Sequence, residues 1–377
     1  MEELKLQMDN YVKKLENEYF RANSVSKKKK IAFDLINFSI FYNKIFPGKN
    51  LPWSKDESVL RDYYSCNSII VKEFLKNIEK DRKIYNILSQ AVIDSFSQVK
   101  YPFYKNNYKI VDLPRLTNKE SNEIMLSFLK SFGLEYYSKL IEMSKNNELL
   151  GIPSLNYGEG ETTSINTLKK NFIILSDELG NNVFTTGVAL HEFGHAYEFY
   201  ISNATLSQSL NTPFYEVSSC FFEYAFFRYL KENKIYTHSA DICLDILYKN
   251  MLSYCAEMNL INDISADSEI DEYEFDVDKV EKMKEDLNYY NLQVSDDIIY
   301  TEPYIYGIGY LFAIFLYDSY KQDKEKFNYN FKNMLTSYPF AGNIETFKNF
   351  NITEESLKEG KILRKTLNNF KDDFLIK

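Results

Sequence analysis

The chain has 377 residues, 45% of them hydrophobic, with 31 tyrosines, 29 phenylalanines and a net charge of −9. That apolar content suffices for a substantial core in one large domain or two, and the acidic balance argues against a nucleic-acid or anionic-membrane partner. Cys66, Cys220, Cys243 and Cys255 are scattered without C-x-x-C spacing, so neither a disulfide framework nor a cysteine metal site is expected, and a reducing cytoplasm fits.

The first residues, MEELKLQMDN, carry acidic side chains and no apolar stretch of signal-peptide type. From there to about residue 100 the apolar spacing is helical. Ile31, Phe33, Leu35, Ile36 and Phe38 to Phe41 are followed by Leu60, Tyr63, Tyr64, Ile69, Ile70, Phe74 and Leu75, which predicts an antiparallel helical region. Lys27 to Lys30 reads as a solvated helix start, and Trp53, after Pro52, as a plug between helices. Residues 100–116 contain Pro102 and Pro114 among polar residues and read as a connection, dividing an N-terminal helical region, 1–116, from a second region, 117–377. Thr117 and Glu120 form a capping box for a helix through Phe132, stopped by Gly133, and a second helix runs from Leu134 to about Asn146. Gly151 to Thr163 is turn-rich. Phe172 to Leu175 has strand character, either at a sheet edge open to a ligand or in a buried ribbon.

Gly187 to Tyr200, GVALHEFGHAYEFY, carries the chemistry. Of three histidines, His191 and His195 fall four apart with Glu192 between them, so on a helix both imidazoles share one face and can reach a single ion. Zn²⁺ held there would leave room for a third ligand and a water whose proton Glu192 could accept, as in H-E-x-x-H metallopeptidases. The longer metzincin pattern needs Gly at 198 and His at 201, where this chain has Glu198 and Ile201. Thr212 and Pro213 suggest the cap and first residue of the next helix, with Glu216 in its first turn and Ser219 and Glu223 on the same face. Glu216 is the candidate third ligand; a carboxylate merely favouring the helix dipole is the other reading.

HEFGHA followed by Glu216, Ser219 and Glu223 resembles the oligoendopeptidase F and thimet oligopeptidase family of zinc peptidases. The resemblance covers about 121–231, is weaker over 295–370 and is absent from the first hundred residues. It implies a mainly α fold with a small β-sheet bordering an active-site channel, whose edge can pair with an extended substrate. It further implies Zn²⁺ on His191, His195 and Glu216, Glu192 as general base, and Glu223 orienting a ligand histidine. The implied substrates are short unfolded peptides cut internally. This chain is shorter than the resemblance leads one to expect, so the channel is expected to be shallower.

Helices are expected to continue to about residue 260, with His238 as a surface residue. Asp263 to Asp278 is dense in carboxylates without EF-hand spacing and reads as a solvated linker rather than a cation site. Tyr304 to Tyr317 is the longest apolar run, too short and glycine-interrupted to span a bilayer. Within it, Tyr306 and Tyr310 match the family's tyrosine and glycine segment, which implies an oxyanion donor; ordinary aromatic packing is the competing reading. The histidine usual in that family shortly before these tyrosines is missing, since none occurs between 239 and 377. A silent zinc-containing protein that binds peptides or a partner, and a protease dedicated to one peptide, are the alternative functions. Oligomeric state is not readable from these residues.

Overall fold

A computed structural model describes residues 2–46, 56–99, 110, 113–152, 160–165, 170–176, 182–204, 206–260, 301–341 and 344–358, and structural statements concern these. Trp53, the Asp263 to Asp278 stretch and most of the expected 100–116 connection lie outside them.

Helix α1 (Glu2–Arg21) buries Leu4, Met8, Tyr11, Val12, Leu15 and Tyr19, a stripe at three- and four-residue spacing. Helix α2 (Val25–Ile45) starts where the Ser24 side chain accepts from the Lys27 amide, and lays Leu35, Phe38, Phe41 and Tyr42 against α1. Helix α3 (Glu57–Val99) is 43 residues long, about 65 Å at helical rise, and joins two cores. Val59 belongs to the core of α1 and α2, whereas Phe74 to Val92 belong to the larger core of the remaining helices. Helix α4 (Asn118–Phe132) opens on the Thr117 and Glu120 capping box, and α5 (Leu134–Lys145) follows directly after Gly133. No helix among the described residues is long and apolar enough to cross a membrane.

Three strands form one sheet, β1 (Leu149–Ile152), β2 (Gly160–Ile165) and β3 (Lys170–Ser176), in the order β1-β3-β2. β3 is parallel to β1 and antiparallel to β2, pairing Ile173 with Thr162 and Phe172 with Thr163. The expected strand at Phe172 to Leu175 is therefore the central one. One edge strand comes from residues 160–165, the first four of them expected to be turn; its polar sequence GETTSI lacks the apolar alternation that marks a strand. Phe172 and Ile174 face the core of α1 and α2, while Ile173 faces the larger core, so the sheet is covered on both faces.

Helix α6 (Val183–Ser202) carries the histidines. Asn182 and Thr185 exchange a reciprocal capping box at its start, and Asn203, in the left-handed region at φ 53°, ends it. Helix α7 (Leu206–Ser209) is a single turn, and α8 (Val217–Glu232) begins four residues later than the Thr212 and Pro213 signal predicts. Phe214 explains the delay. Its ring is buried against Phe312 and Phe347, 5.6 and 4.8 Å away between centroids, and the Thr212 hydroxyl accepts from its amide in a tight turn that precedes the helix. Glu216 thereby becomes the residue preceding the helix, not one inside its first turn. Helices α9 (Thr237–Leu260), α10 (Thr301–Gln322) and α11 (Lys324–Ala341) complete the larger core, and His238 lies exposed in the first turn of α9.

Candidate active site

The site is built on the seam between α6 and α8. Gly194 makes the seam possible, because a Cβ there would stand 2.6 Å from the Ser219 Cα and 2.7 Å from the Ser218 carbonyl oxygen. With the helices this close, Glu216 Oε2 lies 3.1 Å from His191 Nε2 and 3.1 Å from His195 Nε2. The Ser219 hydroxyl donates to the same oxygen at 2.7 Å and fixes its direction. On the far side of the His191 ring, Nδ1 is 3.3 Å from Glu223 Oε2. His195 stacks on Tyr215, with centroids 4.6 Å apart, and its buried Nδ1 has no hydrogen-bond partner among the described residues.

Glu192 faces the sheet. The Thr162 hydroxyl of β2 lies 2.7 Å from Glu192 Oε2 and 2.9 Å from the Glu192 carbonyl oxygen, and donates to them. Gly160, at the start of β2, leaves space for that side chain, since a Cβ there would come within 2.6 Å of Glu192 Cγ. Glu198 lies deeper and accepts from the Ser218 hydroxyl at 2.7 Å.

Four buried carboxylates, Glu192, Glu198, Glu216 and Glu223, thus surround two imidazoles. Burial works against protonating the imidazole of His191, but its bonds to Glu216 and Glu223 outweigh this and raise its pKa well above the usual value. His195 is raised too, by Glu216 against the effect of burial. Burial would raise Glu216, yet His195 and His191 hold it well below the ordinary carboxylate range. Burial pushes Glu192 up, partly offset by the two histidines. Glu198 is pushed by burial to about 8, so it holds a proton at neutral pH.

This donor set suits a divalent cation. Without one, His191 needs a proton on each nitrogen to satisfy two carboxylates. A cation at the Nε2 side could take the lone pairs of both imidazoles and one oxygen of Glu216, leaving Nδ1–H of His191 to donate to Glu223. Cys220, one turn after Glu216, is a second candidate donor: its Sγ lies within 4.8 Å of the ligand atoms of His191 and Glu216. Burial and the carboxylates of Glu216 and Glu223 raise its thiol pKa.

Helix α10 closes the site from the other side. Its Gly309 approaches Glu216 and Cys220, where a Cβ would meet the Glu216 Cβ at 2.9 Å and the Cys220 Sγ at 3.0 Å. Tyr306 is half-buried and stacked between Tyr254 and Tyr310, at centroid distances of 5.4 and 6.3 Å. The charge of Glu216, with burial second, raises the Tyr306 phenol; burial and then Glu223 raise Tyr310. Both phenols therefore stay protonated beside the carboxylates. Tyr304 points elsewhere, 6.1 Å from the Tyr85 ring.

Motif reading missed Thr162, Gly160, Tyr215, Ser218 and Glu198. Only Glu198 had a local signal, its three-residue spacing from His195 on one helix face.

No family model matches the chain, and no curated protein matches its sequence. Among solved structures, it resembles a protein of Chlamydophila abortus assigned as a peptidase, with a TM-score of 0.53 and 12% identity over 93% of this chain and 62% of that one. A protein of Bacillus anthracis str. Ames assigned as an oligoendopeptidase F gives 0.49 and 14% over 92% and 64%, and PZ peptidase A, solved with an inhibitor, gives 0.49 and 14% over 91% and 64%. The likeness is one of fold: a mainly helical chain with a small three-stranded sheet. This chain spans less than two thirds of the length of each of these structures.

Proposed function

We propose that the chain is a zinc metallo-endopeptidase acting on short, unfolded peptides. The observation that carries the reading is the placement of Glu216 Oε2 at 3.1 Å from both Nε2 atoms, with Glu192 held beside them by Thr162. His191, His195 and Glu216 would hold Zn²⁺, which when bound supplies Lewis acidity to the scissile carbonyl and to a water. Nitrogen and carboxylate donors with one histidine backed by Glu223 are the reason for preferring zinc.

Glu192 takes the proton of the attacking water and later passes it to the departing amine. Its burial raises its basicity towards that task, and the Thr162 hydroxyl fixes which oxygen is free. The protonated phenols of Tyr306 and Tyr310 are the candidate donors to the oxyanion. Among the described residues the outer edge of β2 pairs with no strand, and its backbone groups would bind an extended substrate independently of side-chain sequence. The four cysteines are unpaired and buried, which fits a reducing cytoplasm.

Zinc-loaded wild type and Glu192→Gln, each incubated with a quenched peptide library, test this. The expected result is cleavage by the wild type and a loss of about 10²- to 10⁴-fold in the variant at equal zinc content. Equal cleavage by both would contradict the reading, and zinc without cleavage by either would leave a peptide binder.

A further inference from the structure

The outer edge of β2 does not end at Glu192. Thr163 and Ser164 line a cavity of about 160 Å³ together with Glu18 of α1, Asp34 and Asn37 of α2 and Leu206 of α7. Thr163 pairs with Phe172, which faces the core of α1 and α2, so the cavity lies between β2 and these two helices. The cavity therefore meets β2 one to two residues, or about 3–7 Å along the strand, beyond the Thr162 that holds Glu192.

Asp34 gives this cavity its character. It is partly buried, and among the described residues it accepts no hydrogen bond and enters no ion pair. Glu18, at the mouth, is 44% exposed and has Lys14 at 4.0 Å, so it adds negative charge without being buried. A carboxylate withdrawn from water with no partner is costly, and a cationic donor compensates it better than a neutral one. Burial pushes Asp34 to about 7, with Lys30 one turn away only partly opposing this. The cavity has room for a long unbranched side chain.

We infer that Asp34 is a specificity-determining residue whose cavity receives an ammonium group of the substrate, a few residues from the scissile bond, while the peptide backbone pairs with β2. The inference rests on the peptidase reading. The ammonium can come from a lysine side chain or from the peptide's own N-terminus, and the two sources are separable.

The test uses an N-acetylated neutral host peptide in which one lysine is walked through every position on both sides of the scissile bond. Norleucine at the same position serves as the uncharged comparison, and the unacetylated host at several lengths reports the N-terminus. The readout is the ratio of kcat/KM for the charged over the uncharged peptide, measured within each of wild type, Asp34→Asn and Asp34→Lys, so that the folded fraction of a variant cancels. The wild type is expected to favour lysine at one position, or the free amine at one length, by about tenfold. That ratio falls to about one in Asp34→Asn and below one in Asp34→Lys. A ratio of one throughout in the wild type, or a preference kept in Asp34→Asn, overturns the inference. If the zinc-loaded wild type cleaves nothing, the peptidase reading fails by itself. The inference is then decided by fluorescence anisotropy with the same peptides, where equal affinities for lysine and norleucine overturn it and tighter, Asp34-dependent binding of the lysine peptide supports it.

Discussion

The α6 and α8 seam and the α1 and α2 lobe are both close-packed, but they place opposite demands on sequence. The seam buries Glu192, His195, Glu198, Glu216 and Glu223 inside the larger apolar core, so each needs a partner at a fixed distance and the helices must nearly touch at Gly194. In the lobe, Leu35, Phe38, Phe41 and Tyr42 bury ordinary apolar surface against α1 and β3, and any set of similar volume would serve. Precision in the seam and tolerance in the lobe follow from what is buried. Substitutions should separate the two.

The largest effect is expected from Glu216→Ala. It removes the one group that bridges the two helices to both imidazoles, and zinc affinity by equilibrium dialysis should fall by more than the roughly 10–100-fold that an outer partner such as Glu223 is worth. Phe41→Ala probes the lobe. The ring is fully buried, 6.2 Å from Phe172, and its loss should cost about 3–5 kcal/mol in denaturant unfolding while zinc affinity of the folded protein stays within about twofold. A parallel loss of zinc affinity would break the distinction. Gly194→Ala sharpens it from the other side: the added methyl group meets the backbone of Ser218 and Ser219, which cannot rotate away. The expected cost is about 1–3 kcal/mol in stability, smaller than for Phe41, yet with a measurable drop in zinc affinity because the N-terminal end of α8 carries Glu216.

The same contrast explains what could be read from the residues. His191, Glu192 and His195 lie within five positions of one helix, so their shared chemistry is visible as spacing, and Glu216 lies only a turn and a short loop further on. The capping box of α4 and the apolar stripe of α1 are equally local. What escaped was assembled from distant parts of the chain. Thr162 reaches Glu192 from a strand whose polar sequence looks like turn, and Asp34 lines one cavity with Thr163 and Ser164 from more than a hundred residues away. The start of α8 was misplaced for a related reason: the local cap signal at Thr212 and Pro213 is overridden by the burial of Phe214 against α10 and the 3₁₀ turn after α11.

The central claim is that α6 and the start of α8 jointly grip one divalent ion through two imidazoles and one carboxylate. X-ray absorption at the zinc edge of the stoichiometrically loaded protein tests it most directly. The account predicts one zinc per chain with only nitrogen and oxygen neighbours at about 2.0–2.2 Å, unchanged in Cys220→Ala. A sulfur neighbour at about 2.3 Å that disappears in Cys220→Ala, or failure of the folded protein to retain zinc, would contradict it.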